Sequence, residues 1–184
     1  MSSKDINLTP IEENDIELIR NWRNSKEVSS YMYSEDEITS NQQKKWFDKA
    51  QKDETSKYWI IWYDNKPLGL ASLTQINKTL NSCYWAFYLG DTSVRGAGIG
   101  GKVEYRVLEY VFEELKLHKL RCEVFTFNDK VIKMHEKFGF RREAYYREHC
   151  YKNGSYQDVV GLAMTENEWN ILKDGMYAKV YRRN

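Results

Sequence analysis

The 184-residue chain is predicted to fold as one mixed α+β domain around a central sheet. Three features of the sequence carry that expectation. Residues 57–89 are dense in β-forming residues, a long amphipathic helix follows them at once, and strand-like and helix-like segments then alternate toward the C-terminus. Composition supports a packed core: 41% of residues are hydrophobic and 15% aromatic, with 14 Tyr and 6 Trp, which excludes a disordered chain. The formal net charge of +1 gives no bulk electrostatic ground for a nucleic-acid or membrane partner. No apolar run approaches the ~20 residues of a membrane span. The opening "MSSKDINLTP" carries no apolar signal region, so a cytoplasmic protein is expected. Cys83, Cys122 and Cys150 are odd in number and widely spaced, which favours buried thiols over a disulfide framework. No C-x-x-C pair points to a metal, so none is expected.

The elements follow in order. "INLTPI" reads as a short opening strand. "EENDIELIRNWRN" places Ile16, Ile19 and Trp22 at helical spacing, and "KEVSSYM" continues in helical pieces. "TSNQQKKWFDKAQKD" is an amphipathic helix capped by Thr39 or Ser40. "KYWIIWYD", "PLGLASLTQI" and "SCYWAFYL" form an antiparallel meander, with "NK" beginning the first tight turn. The long helix presents Ile99, Val103, Val107, Tyr110, Val111 and Leu115 as one stripe. "LRCEVFTF" is a strand, and "DKVIKMHEKFG" is a short helix stopped by Gly139. "FRREAYYREHCY" and "QDVVGLAMT" form a hairpin around the Asn-Gly of "KNGS". "TENEW" is a capping box, Thr165 with Glu168, that opens the last helix.

"SVRGAGIG" is the segment with chemistry in it. Gly96, Gly98 and Gly100 sit between a strand and a helix, where a plain turn needs one glycine. Glycines there permit positive φ and close approach. The helix start offers unpaired N–H groups and partial positive charge, and Arg95 adds a full one. The combination suits a phosphate-bearing ligand. No Gly-Lys-Ser/Thr follows, so it is not a Walker loop. The preceding meander disfavours a dinucleotide fold.

"R-G-A-G-I-G", with "NDKVIKMHEKFGF" from Asn128 to Phe140, resembles the signature of the GCN5-related N-acetyltransferases (GNAT) over nearly the whole chain. The resemblance implies a mixed, mostly antiparallel sheet flanked by helices, with a V-shaped opening between central strands. It implies one domain, residues 1–184: an acceptor-side block of about 1–56, an acetyl-CoA-binding core of about 57–140, and a hairpin and tail of about 141–184. It further implies that acetyl-CoA, as co-substrate, is held by Leu89, Arg95, Gly96, Ala97, Gly98, Ile99, Gly100 and Asn128. "NWRNSKEVSSYMYSEDEIT" followed by "WF" resembles the opening of acetyltransferases of pseudaminic acid biosynthesis. These acetylate the 4-amino group of a UDP-linked 4-amino-4,6-dideoxy-N-acetyl-altrosamine, a precursor for flagellin glycosylation. That narrower resemblance places the acceptor near Arg23, Met32, Tyr33, Thr74, Gln75 and Tyr88. Trp22 and Tyr33 would stack on uracil or cover a sugar face. Gln43 and Gln75 stand where some relatives carry His and Lys.

The chemistry needs few groups. A neutral amine attacks the thioester carbonyl, and the departing thiolate takes a proton. The family's second block usually carries a Tyr as proton donor; this chain has His135, whose titration range suits neutral pH. Glu123, in "LRCEVF", is the candidate proton relay on the acceptor side; the plainer reading is an ion pair with Lys119 or Arg121. Neither Cys83 nor Cys122 has an evident His partner, so direct attack in a ternary complex is expected. His118 and His149 read as structural or surface residues. A ribosomal-protein N-terminus or a polyamine is the alternative acceptor, the latter kept open by the acidic "SEDE". A non-catalytic acyl-CoA sensor is the alternative of another class. A homodimer is compatible with the resemblance.

Overall fold

In a computed structural model, residues 5–94 and 98–181 are described; Arg95, Gly96 and Ala97 of the glycine turn lie outside them. The chain runs β1 (Ile6–Pro10), α1 (Ile16–Asn24), α2 (Lys26–Ser29), α3 (Ser40–Ala50), β2 (Lys57–Tyr63), β3 (Lys66–Asn77) and β4 (Ser82–Leu89). It continues with α4 (Ile99–Glu109), β5 (Lys119–Phe125), α5 (Asp129–Lys137), β6 (Arg141–Lys152), β7 (Ser155–Thr165) and α6 (Glu166–Tyr181). The strands make a seven-stranded sheet in the order β1-β2-β3-β4-β5-β7-β6. β4 with β5 is the parallel pair, over Ser82–Lys119, Cys83–Leu120 and Tyr84–Arg121. The element order and the mixed α+β class are those the sequence predicts.

Contacts divide the chain into two compact units: Met1–Ile76 with Ala86–Ala97, and Asn77–Trp85 with Gly98–Asn184. In the first, β1 pairs with β2 and β2 with β3, all antiparallel. The turn between β2 and β3 places Asp64 and Asn65 at φ of 50° and 59°, one residue earlier than the expected "NK". Ile11, Ile19, Trp22, Ile60 and Leu70 make its core. Thr39 caps α3: its hydroxyl accepts from the Gln42 amide, and the Gln42 side chain accepts from the Thr39 amide. The close approach of β3 to β4 depends on a glycine. A Cβ on Gly69 would lie 2.0 Å from the Tyr88 carbonyl oxygen, and the Gly90 and Asp91 amides both donate to Leu68 O, at 2.8 and 3.0 Å.

In the second unit, β5 pairs with β7 and β7 with β6, again antiparallel. Asn153 and Gly154 adopt positive φ in the hairpin turn, as Asn-Gly requires. Thr165 and Glu168 form the expected capping box at the start of α6. α5 ends at Gly139 in the left-handed region, φ 96°. The helix after the glycine turn differs from its expectation. It is α-helical to Glu109 and then winds into a π-helical turn, Tyr110–Glu114. It also buries Glu104, Tyr105 and Leu108 besides the expected Ile99, Val103, Val107 and Val111.

Candidate active site

The glycine turn enters α4 through Gly98, whose φ is 76° and whose missing Cβ would meet none of the described residues within 4 Å. An L side chain disfavours that conformation. Ile99 is buried at 2% exposure and anchors the first turn of the helix. Gly100 is the second helical residue. Arg95, Gly96 and Ala97 fall outside the described residues. Asn128 stands at the N-cap of α5. Its amide donates to Phe125 O and its carbonyl accepts from Val131 and Ile132, while its carboxamide makes no capping bond. Leu89 ends β4 in the first unit.

His135 lies on α5 and is buried, at 3% exposure. Its Nδ1 is 2.6 Å from Glu104 Oε1, and Glu104 is fully buried on α4. Rings close the imidazole in: Trp85 edge-on at 5.3 Å and Phe140 at 5.3 Å between centroids. The Cys122 sulfur, from β5, lies close enough to the ring to act on its titration. Sequence reasoning gave Cys122 no histidine; the fold gives it His135, 13 positions on, and that expectation is corrected. Burial alone would lower the histidine's pKa. The Cys122 sulfur and the Glu104 carboxylate outweigh it and push the value up to about 10. Burial raises the Glu104 carboxyl in turn, against the pull of the imidazole. A contact of 2.6 Å between nitrogen and carboxylate oxygen requires a proton between them.

Glu123 stands on the opposite face of β5. Leu120, Cys122 and Val124 are buried, whereas Lys119, Arg121 and Glu123 alternate with them toward the other side. Lys119 pairs with Glu143 at 2.6 Å, and Arg121 donates to Ser82 Oγ and lies 4.2 Å from the Tyr84 ring. Tyr146 joins this face. Gly161 is paired with Glu123, and a Cβ on it would lie 3.3 Å from the Tyr146 ring. The Tyr146 phenol has a raised pKa from burial, with Glu123 the first charge acting on it. Tyr145 instead donates to Asp158. Cys122, beside His135, and Glu123 thus lie on opposite faces of β5.

On the acceptor side, Arg23 and Tyr88 come together in the first unit. Arg23 Nη2 donates to Ser34 Oγ at 3.1 Å, while Arg23 Nη1 and the Tyr88 hydroxyl are buried with no hydrogen-bond partner among the described residues. Burial lowers the Arg23 pKa and raises that of Tyr88, each opposed by the other group. Asn24 clamps the Ser34–Ile38 loop by donating to Ile38 O and accepting from Ile38 N, both at 2.9 Å. Arg23, Asn24, Ser29 and that loop line a cavity of about 190 Å³, with Glu35, Asp36 and Glu37 on its wall. Met32 is half-buried and Tyr33 exposed in the preceding turn. Thr74 is half-buried on β3 beside exposed Gln75, which takes a left-handed φ of 50°. One expectation fails. Trp22 is a core residue seated over Gly90, with a Gly90 Cβ position only 2.1 Å from its ring, so it does not stack on a ligand. Gln43 is buried at 3% exposure and faces the core.

The sequence profile of the acetyltransferase (GNAT) domain matches residues 5–141. The chain belongs to the GNAT acetyltransferases. Among similar proteins of this family, a spermidine N(1)-acetyltransferase of Vibrio cholerae is 26% identical over 165 residues, covering 89% of this chain and 95% of that protein. Acetyltransferase PseH of Campylobacter jejuni is 27% identical over 134 residues, covering 73% and 82%. A crystal structure of the Vibrio cholerae spermidine N-acetyltransferase with CoA and spermine has the same fold. It is 24% identical, with a TM-score of 0.86 over 90% of this chain and 98% of that one. GNAT enzymes draw an activated acetyl thioester from acetyl-CoA. The left-handed Gly98 at the N-cap of α4, with no side-chain cap, fits a helix start that takes a diphosphate-bearing ligand of that kind. None of the helices among the described residues is long and apolar enough to cross a membrane.

Proposed function

We propose that this GNAT acetyltransferase moves the acetyl group of acetyl-CoA to the 4-amino group of a UDP-linked 4-amino-4,6-dideoxy sugar, by direct attack in a ternary complex. The observation that carries the proposal is the Arg23–Tyr88 pair, two buried polar groups with donors lacking partners among the described residues. Buried polar groups are nearly always hydrogen-bonded, so an orphaned pair marks where a ligand supplies the acceptors. A sugar nucleotide is rich in oxygen acceptors and carries phosphate charge, which a guanidinium grips in a planar fork. A polyamine meets the reverse: an ammonium 4 Å from a fixed guanidinium is repelled by about 4 kcal/mol at the effective dielectric of a protein surface. The likeness to Acetyltransferase PseH agrees with this reading. In it, Gly98–Gly100 and Asn128, with Leu89 and Arg95–Ala97, hold acetyl-CoA. Strand amides receive the developing oxyanion, Glu123 receives the amine's proton, and His135 donates one to the departing sulfur.

One observation favours a polyamine instead. Glu35, Asp36 and Glu37 line the same cavity as Arg23, and the likeness to the spermidine acetyltransferase extends over more of the chain. A coenzyme A release assay across a UDP-4-amino sugar, spermidine and N-terminal peptides separates the readings. The proposal expects turnover on the sugar; turnover on spermidine or peptides with none on the sugar overturns it.

A further inference from the structure

We propose that Glu104 is a positioning residue for the proton donor: it holds His135 by Nδ1, so that Nε2 is the nitrogen that gives its proton away. The inference rests on the reading of His135 as the donor to the departing sulfur. Glu104 is fully buried in the body of α4, between Val103 and the buried Val107 and Leu108, a place that packing alone would fill with a Leu. A buried carboxylate costs several kcal/mol unless it is paired. Among the described residues this one makes a single hydrogen bond, Oε1 to His135 Nδ1 at 2.6 Å, while Oε2 is buried without a partner. A carboxylate kept for core structure would have both oxygens satisfied. Half-satisfied, it is explained by what its one bond does to the imidazole.

That bond fixes two things. It selects the protonation state with hydrogen on Nδ1, because a carboxylate oxygen only accepts. It also places negative charge where an imidazolium needs it, inside a wall of Trp85 and Phe140 rings that otherwise excludes the charge. Of the titratable groups, Glu104 faces the ring from α4 and Cys122 from β5. The charge on the pair is therefore set within the protein rather than by solvent.

The step balances. The amine nitrogen forms its bond to the acetyl carbon as the carbon–sulfur bond breaks, and the electron pair leaves on sulfur. Sulfur takes the Nε2 proton. The imidazole left behind is neutral, still donating from Nδ1 to Glu104. The proton shed by the amine returns through solvent to restore Nε2–H.

The test needs a readout independent of turnover. In wild-type protein without substrate, ¹⁵N NMR at pH 7.5 should find both His135 nitrogens protonated. Glu104→Gln keeps the acceptor oxygen and removes the charge. It should make His135 deprotonate at lower pH, move the alkaline limb of the kcat/KM profile the same way, and lower kcat about 10- to 100-fold. Thermal melts check that the variant is folded. Should Glu104→Gln fail to fold, the wild-type spectrum decides alone: a neutral imidazole, or Nδ1 without hydrogen, overturns the proposal. An unchanged His135 spectrum and unchanged limb in a folded Glu104→Gln overturn it too. Failure of the underlying reading is separable: His135→Phe would then keep both kcat and pH profile, and failure of the substrate reading would show in wild type as no turnover on the sugar.

Discussion

Gly69 is where a single methyl group should do the most damage. Its Cβ position lies 2.0 Å from Tyr88 O, 2.9 Å from Leu89 Cα and 3.0 Å from Tyr88 C, all backbone atoms that cannot swing aside as a side chain can. Real Cβ contacts essentially never fall under 3.0 Å, so Gly69→Ala must part β3 and β4 by about 1 Å at this point. The amides of Gly90 and Asp91, now 2.8 and 3.0 Å from Leu68 O, would then lie beyond hydrogen-bonding range. Each lost bond costs about 1 kcal/mol, and forced overpacking adds about 1–3 kcal/mol. A loss of about 3–5 kcal/mol in a chain of this size lowers Tm by roughly 6–20 °C. Tyr88 and Leu89 move with the strand, so KM for acceptor and for acetyl-CoA should both rise. Calorimetric melts and steady-state kinetics measure the two effects. A Tm within 2 °C of wild type, with both KM values unchanged, would refute the reasoning that the two backbones touch here.

Arg23→Gln removes the buried guanidinium but keeps a shorter donor. It should raise KM for the sugar nucleotide about 10- to 100-fold, the worth of a charge-assisted bond, and leave KM for acetyl-CoA alone; an unchanged acceptor KM would remove Arg23 from the site. Gly98→Ala meets none of the described residues within 4 Å, so its cost is purely conformational, about 1–2 kcal/mol. Coenzyme A affinity by titration calorimetry should fall about 5- to 30-fold, with Gly98→Asn closer to wild type; equal affinity in both variants would contradict a left-handed helix entry. His135 has a folded pKa raised from 6.5 to about 10. Its contribution to stability is fully present below pH 6.5 and is lost as pH rises toward 10. Tm should therefore decline over that window, and His135→Phe should flatten the decline; parallel curves for the two proteins would count against the protonated pair.

What the sequence made legible was local. The Thr39 cap, Thr165 with Glu168, and Asn153 with Gly154 each lie within three residues of their partners, and each formed as expected. The αL entry at Gly98 belongs with them, since the conformation is a property of one residue. The misses are long-range. Glu104 and His135 are 31 residues apart, and no spacing rule joins them, although Glu104 shares a helical face with Val107 and Leu108. Trp22 read as a ligand-stacking ring because nothing local reveals that Gly90 leaves room for it. Gly69 carried a usable signal, an isolated glycine inside a strand. Arg23 is legible through the family resemblance, but the Asn24 clamp that aligns its loop spans 14 residues and no local pattern signals it.

The π-helical turn at Tyr110–Glu114 has its own implication. The Leu115 amide reaches back five residues to Tyr110 O, at 2.9 Å, so the helix carries one surplus residue there. Everything C-terminal to that point is rotated by about 100° relative to an uninterrupted helix. Glu113, inside that turn, meets α6, where its Oε1 accepts from Trp169 Nε1 at 2.8 Å and Lys173 Nζ at 2.9 Å. Excising one residue from this coil would leave Ile99–Leu108 in place while turning Glu113 away from its two donors, so the last helix would lose its polar latch without any change being made to it.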